Sequence, residues 1–355
     1  MTPFYGLLRS PRMLMIVLFF LGFVTVGLRG IGMYDGAIRV IIPSRSSRSS
    51  QSSHQSVPWT WQSVSGDLFW TPGHQSLNRW IQAMGKPQVV SGWLYQFTSR
   101  DMIRVWRDWV RDGVGIGLIL EHNKFRQSNN DVRFLLRSLS GDLVAIRSDA
   151  HLGINFMHAK AFVSDGTGII QTANLTHSSL TKNIEHFVVV TDPQIVADLA
   201  RLHAFDRTTT RSYAREQPFV WHPNLVVCPW DCREKYLALI NGAKSSIRTM
   251  QQYITDPEIE QALRAARTRG VDVRIQLGDL PANKAFAHER GEGAHVPSRY
   301  IHSKSLLVDD RWLLVGSMNM SINSLDNNRE IGIVLTNRDA IEEWKVSFMQ
   351  YWEEK

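Results

Sequence analysis

Two histidines in this chain of 355 residues carry the same companions at nearly the same distances. His158 is followed by Lys160, Asp165, Asn174 and Glu185, and His302 by Lys304, Asp309, Ser317, Asn319 and Glu330. An apolar run follows each His-x-Lys triplet, Ala161 to Val163 and Leu306 to Val308. Such a run predicts a β-strand, on which residues two apart share a face, so each histidine and its lysine point toward one ligand. A phosphodiester would use the whole set. A neutral imidazole can attack phosphorus while lysine and asparagine hold the anionic oxygens. A second imidazole is then needed to protonate the departing alkoxide, which leaves poorly as an anion. A lone strand histidine is most often structural, but two with matched Lys, Asn and Glu neighbours point to chemistry.

The elements that must carry these residues are legible from an internal duplication. Leu68 to Pro72 matches Leu225 to Pro229, Thr98 matches Thr255 and Gly113 matches Gly270, each pair 157 positions apart. Downstream the offset falls to 144, so the first copy holds 13 extra residues between Leu120 and His158. Each unit reads as strand, helix, strand, helix, strand. Lys235 to Ala243 and Ile259 to Arg267 have helical periodicity, and Val271 to Leu277 alternates as a strand does. Gly113 and Gly270 sit where a helix ends and a strand begins. Alternating strands and helices predict an α/β sheet with helices packed on its faces.

The duplicated His-x-Lys-x4-Asp pattern, with Gly316, Ser317 and Asn319 trailing the second copy, resembles the phospholipase D superfamily over about residues 66–355. The resemblance implies an α/β fold of two homologous repeats forming a pseudo-twofold domain, a phosphohistidine intermediate, and no metal or other cofactor. Carried over by position, it makes His158 the nucleophile and His302 the general acid. Lys160, Lys304, Asn174, Asn319 and Ser317 become phosphate ligands, and Glu185 and Glu330 the partners that orient the histidines. Asp165 and Asp309 are expected to support the turns of the motifs. Both motifs lie in one chain, so the site needs no second subunit. The first copy departs from the pattern. It is one residue shorter between Asp165 and Asn174, and Gln171 and Thr172 stand where the second copy has Gly316 and Ser317. A looser backbone approach to phosphate is expected on that side.

The strongest apolar run, residues 13–28, follows Arg9 and Arg12 and extends through Arg29 to Tyr34. Residues 13–34 can cross a bilayer as a transmembrane segment, with Arg29 reaching toward the headgroups. No small-residue cleavage site follows, so an uncleaved signal-anchor is expected, with secretion after cleavage as the alternative. The catalytic part is then expected on the exoplasmic side of the membrane. An organelle membrane is the competing location, because Arg- and Ser-rich, acid-poor starts also occur in targeting sequences. The expected division is a tail at 1–12, the anchor at 13–34, a Ser/Arg-rich linker at 35–60, and repeats at 61–215 and 216–355.

Of the formal charge of +7, six arginines and one aspartate in the first 66 residues account for +5, which leaves +2 for the rest. Basic residues beside a bilayer suit anionic headgroups, and the nearly neutral remainder does not indicate a long nucleic-acid groove. The expected substrate is therefore a membrane phospholipid, hydrolysed or transferred. Cleavage of DNA or RNA by a membrane-tethered nuclease is the alternative, and a catalytically silent scaffold the third reading. Two cysteines, Cys228 and Cys232, are too few for a zinc site and fit either free thiols or one disulfide. Trp106 and Trp109, three apart on a helix, are expected in the core, and Trp59 and Trp61 at a membrane interface. His122, His151, His177, His186 and His288 lack repeat partners and read as surface or supporting groups, with His177 and His186 near enough in sequence to line the pocket.

Overall fold

The computed structural model describes residues 33–34, 37–38, 59–73, 76–127, 142–146, 153–209 and 217–353. Its first half runs β1 (Asp67–Thr71), α1 (Ser76–Met84), β2 (Val89–Leu94), α2 (Arg100–Arg111), β3 (Gly115–Glu121), α3 (His122–Gln127), β4 (Asp142–Ile146), β5 (Ala161–Ser164), β6 (Thr167–Gln171), α4 (His177–Thr181), β7 (Glu185–Val190) and α5 (Pro193–Thr208). The second half runs β8 (Leu225–Cys228), α6 (Cys232–Gly242), β9 (Ser246–Gln251), α7 (Pro257–Thr268), β10 (Asp272–Leu277), α8 (Pro281–Arg290), β11 (Ala294–His295), β12 (Lys304–Val308), β13 (Trp312–Gly316), β14 (Glu330–Leu335) and α9 (Arg338–Trp352). A π-helical turn, Asn323–Asn327, stands in the place of α4.

Two seven-stranded sheets result, in the orders β1-β7-β6-β5-β2-β3-β4 and β8-β14-β13-β12-β9-β10-β11. One order becomes the other by adding seven to each index, so the duplication read in the sequence is a duplication of topology. In each half the crossover helix joins parallel neighbours, β2 to β3 and β9 to β10. The helix signals are local. Ser99 caps α2 by accepting from the Met102 amide, and Asp256 caps α7 by accepting from Glu258 and Ile259. Both helices end at a glycine with φ +87°, Gly113 and Gly270, a backbone region that side-chain-bearing residues rarely adopt.

Strand alternation sorts the apolar residues into three cores. Ala161 and Val163 of β5 and Val188 and Val190 of β7 face an inner core, whereas Phe162 and Phe187 face an outer one. The inner core joins both sheets and includes Leu199 and Leu202 of α5 and Trp344 and Phe348 of α9. The outer cores lie under α1 and α2 in the first half, where Trp106 and Trp109 are buried as expected with Trp80 beside them, and under α6 and α7 in the second. The inner core makes the two repeats one folding unit, because neither sheet could leave that face in water.

Three further sequence readings concern the start of the chain and the cysteines. Among the described residues no helix is long and apolar enough to cross a membrane. The expected span 13–34 lies outside the described residues, except that Met33–Tyr34 is extended and pairs antiparallel with Ala37–Ile38. The pair expected at an interface packs on the domain: Trp59 and Trp61 stack at 6.2 Å, Trp61 lies 6.3 Å from Trp312, and the Lys235 ammonium sits 4.6 Å over the Trp59 ring. Cys228 and Cys232 form a disulfide, which resolves the choice the sequence left open.

Candidate active site

The two motifs meet through a pair of crossings between the halves. Met157, just ahead of His158, forms a parallel bridge with Arg329, just ahead of Glu330; Ile301, just ahead of His302, forms one with Ile184, just ahead of Glu185. At the first crossing the His158 amide donates to the Arg329 carbonyl (3.0 Å) and the Arg329 amide to Phe156 (2.9 Å); at the second the His302 amide donates to Ile184 (3.1 Å) and the Ile184 amide to Tyr300 (3.0 Å). Each glutamate is thereby delivered to the histidine of the opposite repeat. His158 Nδ1 lies 2.9 and 2.8 Å from the two Glu330 oxygens, and His302 Nδ1 lies 2.7 Å from Glu185. An ionised carboxylate only accepts, so Nδ1 carries the proton and the Nε2 lone pair is left for chemistry.

Burial decides the charge state of these groups. It lowers His158 to about 4, a fall that Glu330 opposes and Lys160 reinforces. His302 is lowered for the same reason, against the pull of Glu185. Both imidazoles are therefore neutral near pH 7 in the free protein. Burial also lowers Lys160 to about 7 and Lys304 to about 8, with the Lys304 charge adding to the fall at Lys160. Burial works against ionisation of Glu185, but His302 and Lys304 outweigh it and hold the carboxyl at about 2. Each lysine ammonium donates to the carbonyl of its own histidine, Lys160 at 2.6 Å and Lys304 likewise. An anion entering between them would favour the charged ammonium forms and raise both lysines.

Asn174 and Asn319 follow β6 and β13 and are buried, and the side-chain oxygen of each has no protein partner. Buried amide oxygens are normally satisfied, so two without a partner at equivalent positions mark polar walls suited to a ligand. Which amide atom faces the ligand is an assignment that the ligand itself would set.

The remaining predicted residues sit differently. Ser317 is fully buried, accepts from the Ile331 amide (3.1 Å) and supports Glu330, so its hydroxyl is committed to the strand rather than to a phosphate. Thr172 takes the equivalent role, donating to Glu185 at 2.7 Å and accepting from the His186 amide at 3.0 Å. Thr at this position thus keeps the support that Ser gives in the second copy. Gln171 replaces Gly316 by donating to Ala173 and accepting from Trp80 Nε1, a hydrogen bond of 2.9 Å. The missing residue of the first copy falls in the hairpin turn. Asp165 and Gly166 turn β5 into β6, while Asp309, Asp310 and Arg311 turn β12 into β13. Asp309 accepts from the amides of Lys244, Ser245 and Ser246, and Asp165 from that of Gln88, so both carboxylates tie the hairpin to the segment entering the neighbouring strand.

Several neighbours were not found from the sequence. The Tyr95 ring meets His158 edge-on at 4.6 Å and has the Lys160 ammonium 5.4 Å above it, and Tyr300 stacks beside His302 at 6.3 Å. Burial, with the carboxylates nearby, raises Tyr95 to about 12, which keeps its hydroxyl a donor. Asn328 donates to Glu330 at 3.0 Å, and Glu121 accepts from the Met157 amide at 2.9 Å. Tyr300 was legible, since it lies two residues before His302 and so on the same face. Of the two histidines placed near the pocket, His177 is exposed and His186 is buried, hydrogen-bonded at 2.8 Å to both Ser303 and Ser347. His151 lies outside the described residues. Among the described residues no three His, Cys, Asp or Glu side chains are grouped to hold a metal ion.

The family model described as "Cardiolipin synthase, PLD-like domain" matches residues 87–206 and 236–352, once over each repeat. The chain belongs to the phospholipase D superfamily. Similar curated proteins include cardiolipin synthase 1 of Bacillus anthracis, 32% identical over 128 residues covering 33% of this chain and 25% of that protein. Cardiolipin synthase of Listeria monocytogenes is 28% identical over 127 residues, covering 32% of this chain and 26% of that protein. The aligned part thus spans about a quarter of those relatives. Among solved structures, phosphatidylserine synthase of Haemophilus influenzae superposes with a TM-score of 0.61 at 12% identity, covering 80% of this chain and 85% of that one. Polyphosphate kinase of Porphyromonas gingivalis gives 0.58 at 15% identity, covering 80% and 46%. At such identities the two structures bear on fold alone.

Proposed function

We propose that this phospholipase D relative transfers or hydrolyses the phosphodiester of a membrane phospholipid through a covalent phosphohistidine. The observation that carries the reading is the crossed pair of buried His–Glu couples, His158 with Glu330 and His302 with Glu185, beside two lysines and two asparagines whose side-chain oxygens lack a partner. In the proposed course His158 Nε2 attacks phosphorus as the P–O bond to the leaving alcohol breaks and His302 gives that oxygen a proton. Water or a second alcohol then returns a proton to His302 as its oxygen attacks phosphorus and the P–N bond breaks. Lys160, Lys304, Asn174 and Asn319 hold the non-bridging oxygens. His302 must carry a proton for its part, and the bound phosphate anion favours that protonated form.

Phospholipid is the favoured substrate because the matching family model is described as "Cardiolipin synthase, PLD-like domain". The disulfide within the domain agrees with placement on an oxidising, exoplasmic side. The test is to incubate the full chain in detergent, with chelator, with labelled phosphatidylglycerol, phosphatidylcholine, single-stranded DNA and RNA. Lipid turnover that survives chelation is expected. Turnover of nucleic acid alone would overturn the lipid reading, and full activity in His158→Ala or His302→Ala would overturn the mechanism.

A further inference from the structure

The near-symmetry of the halves makes its exceptions informative. At the crossing behind His302, Ile184 packs in the inner core, which also holds Met250 and Tyr351. At the equivalent positions behind His158 stand Arg329, Trp93 and Asp206. Arg329 and Asp206 are fully buried and paired at 2.8 Å. The Arg329 guanidinium also donates to the Cys228 carbonyl at 2.7 Å and lies 4.1 Å over the Trp230 ring. The second Asp206 oxygen accepts from Trp93 Nε1 at 2.8 Å. Arg329 thereby grips α5 of the first repeat and the end of β8 in the second, while its own backbone is hydrogen-bonded to Phe156 and His158. The next residue is Glu330.

A buried ion pair costs desolvation that an apolar contact does not, and removing either partner alone strands a charge. The chain carries one at this crossing and an apolar contact at the other. The two carboxylates also differ in what they meet. Glu330 presents both oxygens to His158 and also accepts from Asn328, whereas Glu185 gives one oxygen to His302 and the other to Thr172.

We infer that Arg329 and Asp206 are positioning residues for the His158–Glu330 couple, acting through the Arg329 backbone to hold Glu330 across His158. The two halves, alike in their reacting groups, are then unequal in how firmly those groups are held. The inference rests on the proposed role of His158.

The test uses the full chain and bis(4-nitrophenyl) phosphate, a simple chromogenic diester. The double variant Asp206→Leu/Arg329→Ile removes both charges together and copies the apolar character of the other crossing. Arg329→Lys keeps the charge and loses the planar two-pronged grip. Asp198→Leu, on the same helix but holding the His222 amide, is the control for stability loss away from the crossing. Both crossing variants should lower kcat by about ten- to a hundred-fold with KM little changed, the scale of a small misplacement of reacting groups. The acidic limb of kcat/KM, set by His158, should move downward, because Glu330 raises His158 and a displaced carboxylate raises it less. The control should lose thermal stability and keep its acidic limb. Wild-type kcat and acidic limb in either crossing variant would overturn the inference, as would an equal shift in the control. Undiminished turnover by His158→Ala would instead overturn the underlying reading of the site.

Discussion

Replacing Glu330 by glutamine keeps the shape of the side chain and removes the charge that faces His158 across 2.8 Å. In the proposed attack His158 gains positive charge as its Nε2 bonds to phosphorus, so the carboxylate stabilises the transition state more than the neutral ground state. With charge centres about 4 Å apart and an effective dielectric of about 20, the lost attraction is about 4 kcal/mol. At about 1.4 kcal/mol per decade this becomes a fall in kcat of about a thousand-fold, with KM little affected. The free enzyme should report the same contact. Glu330 raises His158, so its loss should push the imidazole below its present value of about 4 and leave His302 in place. Steady-state rates on a chromogenic diester and imidazole resonances followed with pH give the two measurements. A loss of less than ten-fold, or a displaced titration at His302 in place of His158, would refute the crossed pairing as the basis of reactivity.

Lys160 and Lys304 are lowered to about 7 and 8, so their ammonium charge is lost as pH rises through that window, and KM for an anionic diester should climb between about pH 7 and 9; a flat KM would contradict their role as phosphate ligands. Burial lowers His186 to about 3 and His203 to about 4, from 6.5 when unfolded, so the unfolded chain takes up protons first. Their contribution to stability is complete above 6.5 and is lost as pH falls toward 3, which urea midpoints at stepped pH should show as a steady decline. Replacing Cys228 and Cys232 together by alanine opens a short loop and should lower stability by about 2 kcal/mol in chemical denaturation, on the loop-entropy account. In Gly316→Ala the new methyl would lie 2.6 Å from the Gly332 Cα, backbone that has little room to move, and a loss of at least about 1–3 kcal/mol is expected in the same assay.

That last contact also explains a departure visible in the sequence. Gly316 faces Gly332 across β13 and β14, whereas the first half places Gln171 opposite Phe187. Each half solves the same packing problem with its own pair, so Gln171 is a matched substitution rather than a weakened motif. The sequence showed Gln171 as a departure, because its partner Phe187 lies on the next strand.

The candidate site residues were legible because they recur at a fixed spacing, and a strand with period two leaves little choice about which side chains share a face. The repeat, its strand and helix order and the glycines ending α2 and α7 are likewise local properties of the chain. Which glutamate serves which histidine was not legible, since Glu185 and Glu330 stand equally well behind either imidazole along the chain. Only the bridges of Met157 with Arg329 and Ile184 with Ile301 decide it. They exist because the apolar inner faces of two sheets must be buried against each other, and the crossings form where those faces meet. The same burial sets the neutral imidazoles, the depressed lysines and the commitment of Ser317 to the strand. Spacing along the chain thus determined what the site is made of. Desolvation at the inner core decided how those groups are paired and charged, a property of the assembled pair of sheets that neither repeat carries alone.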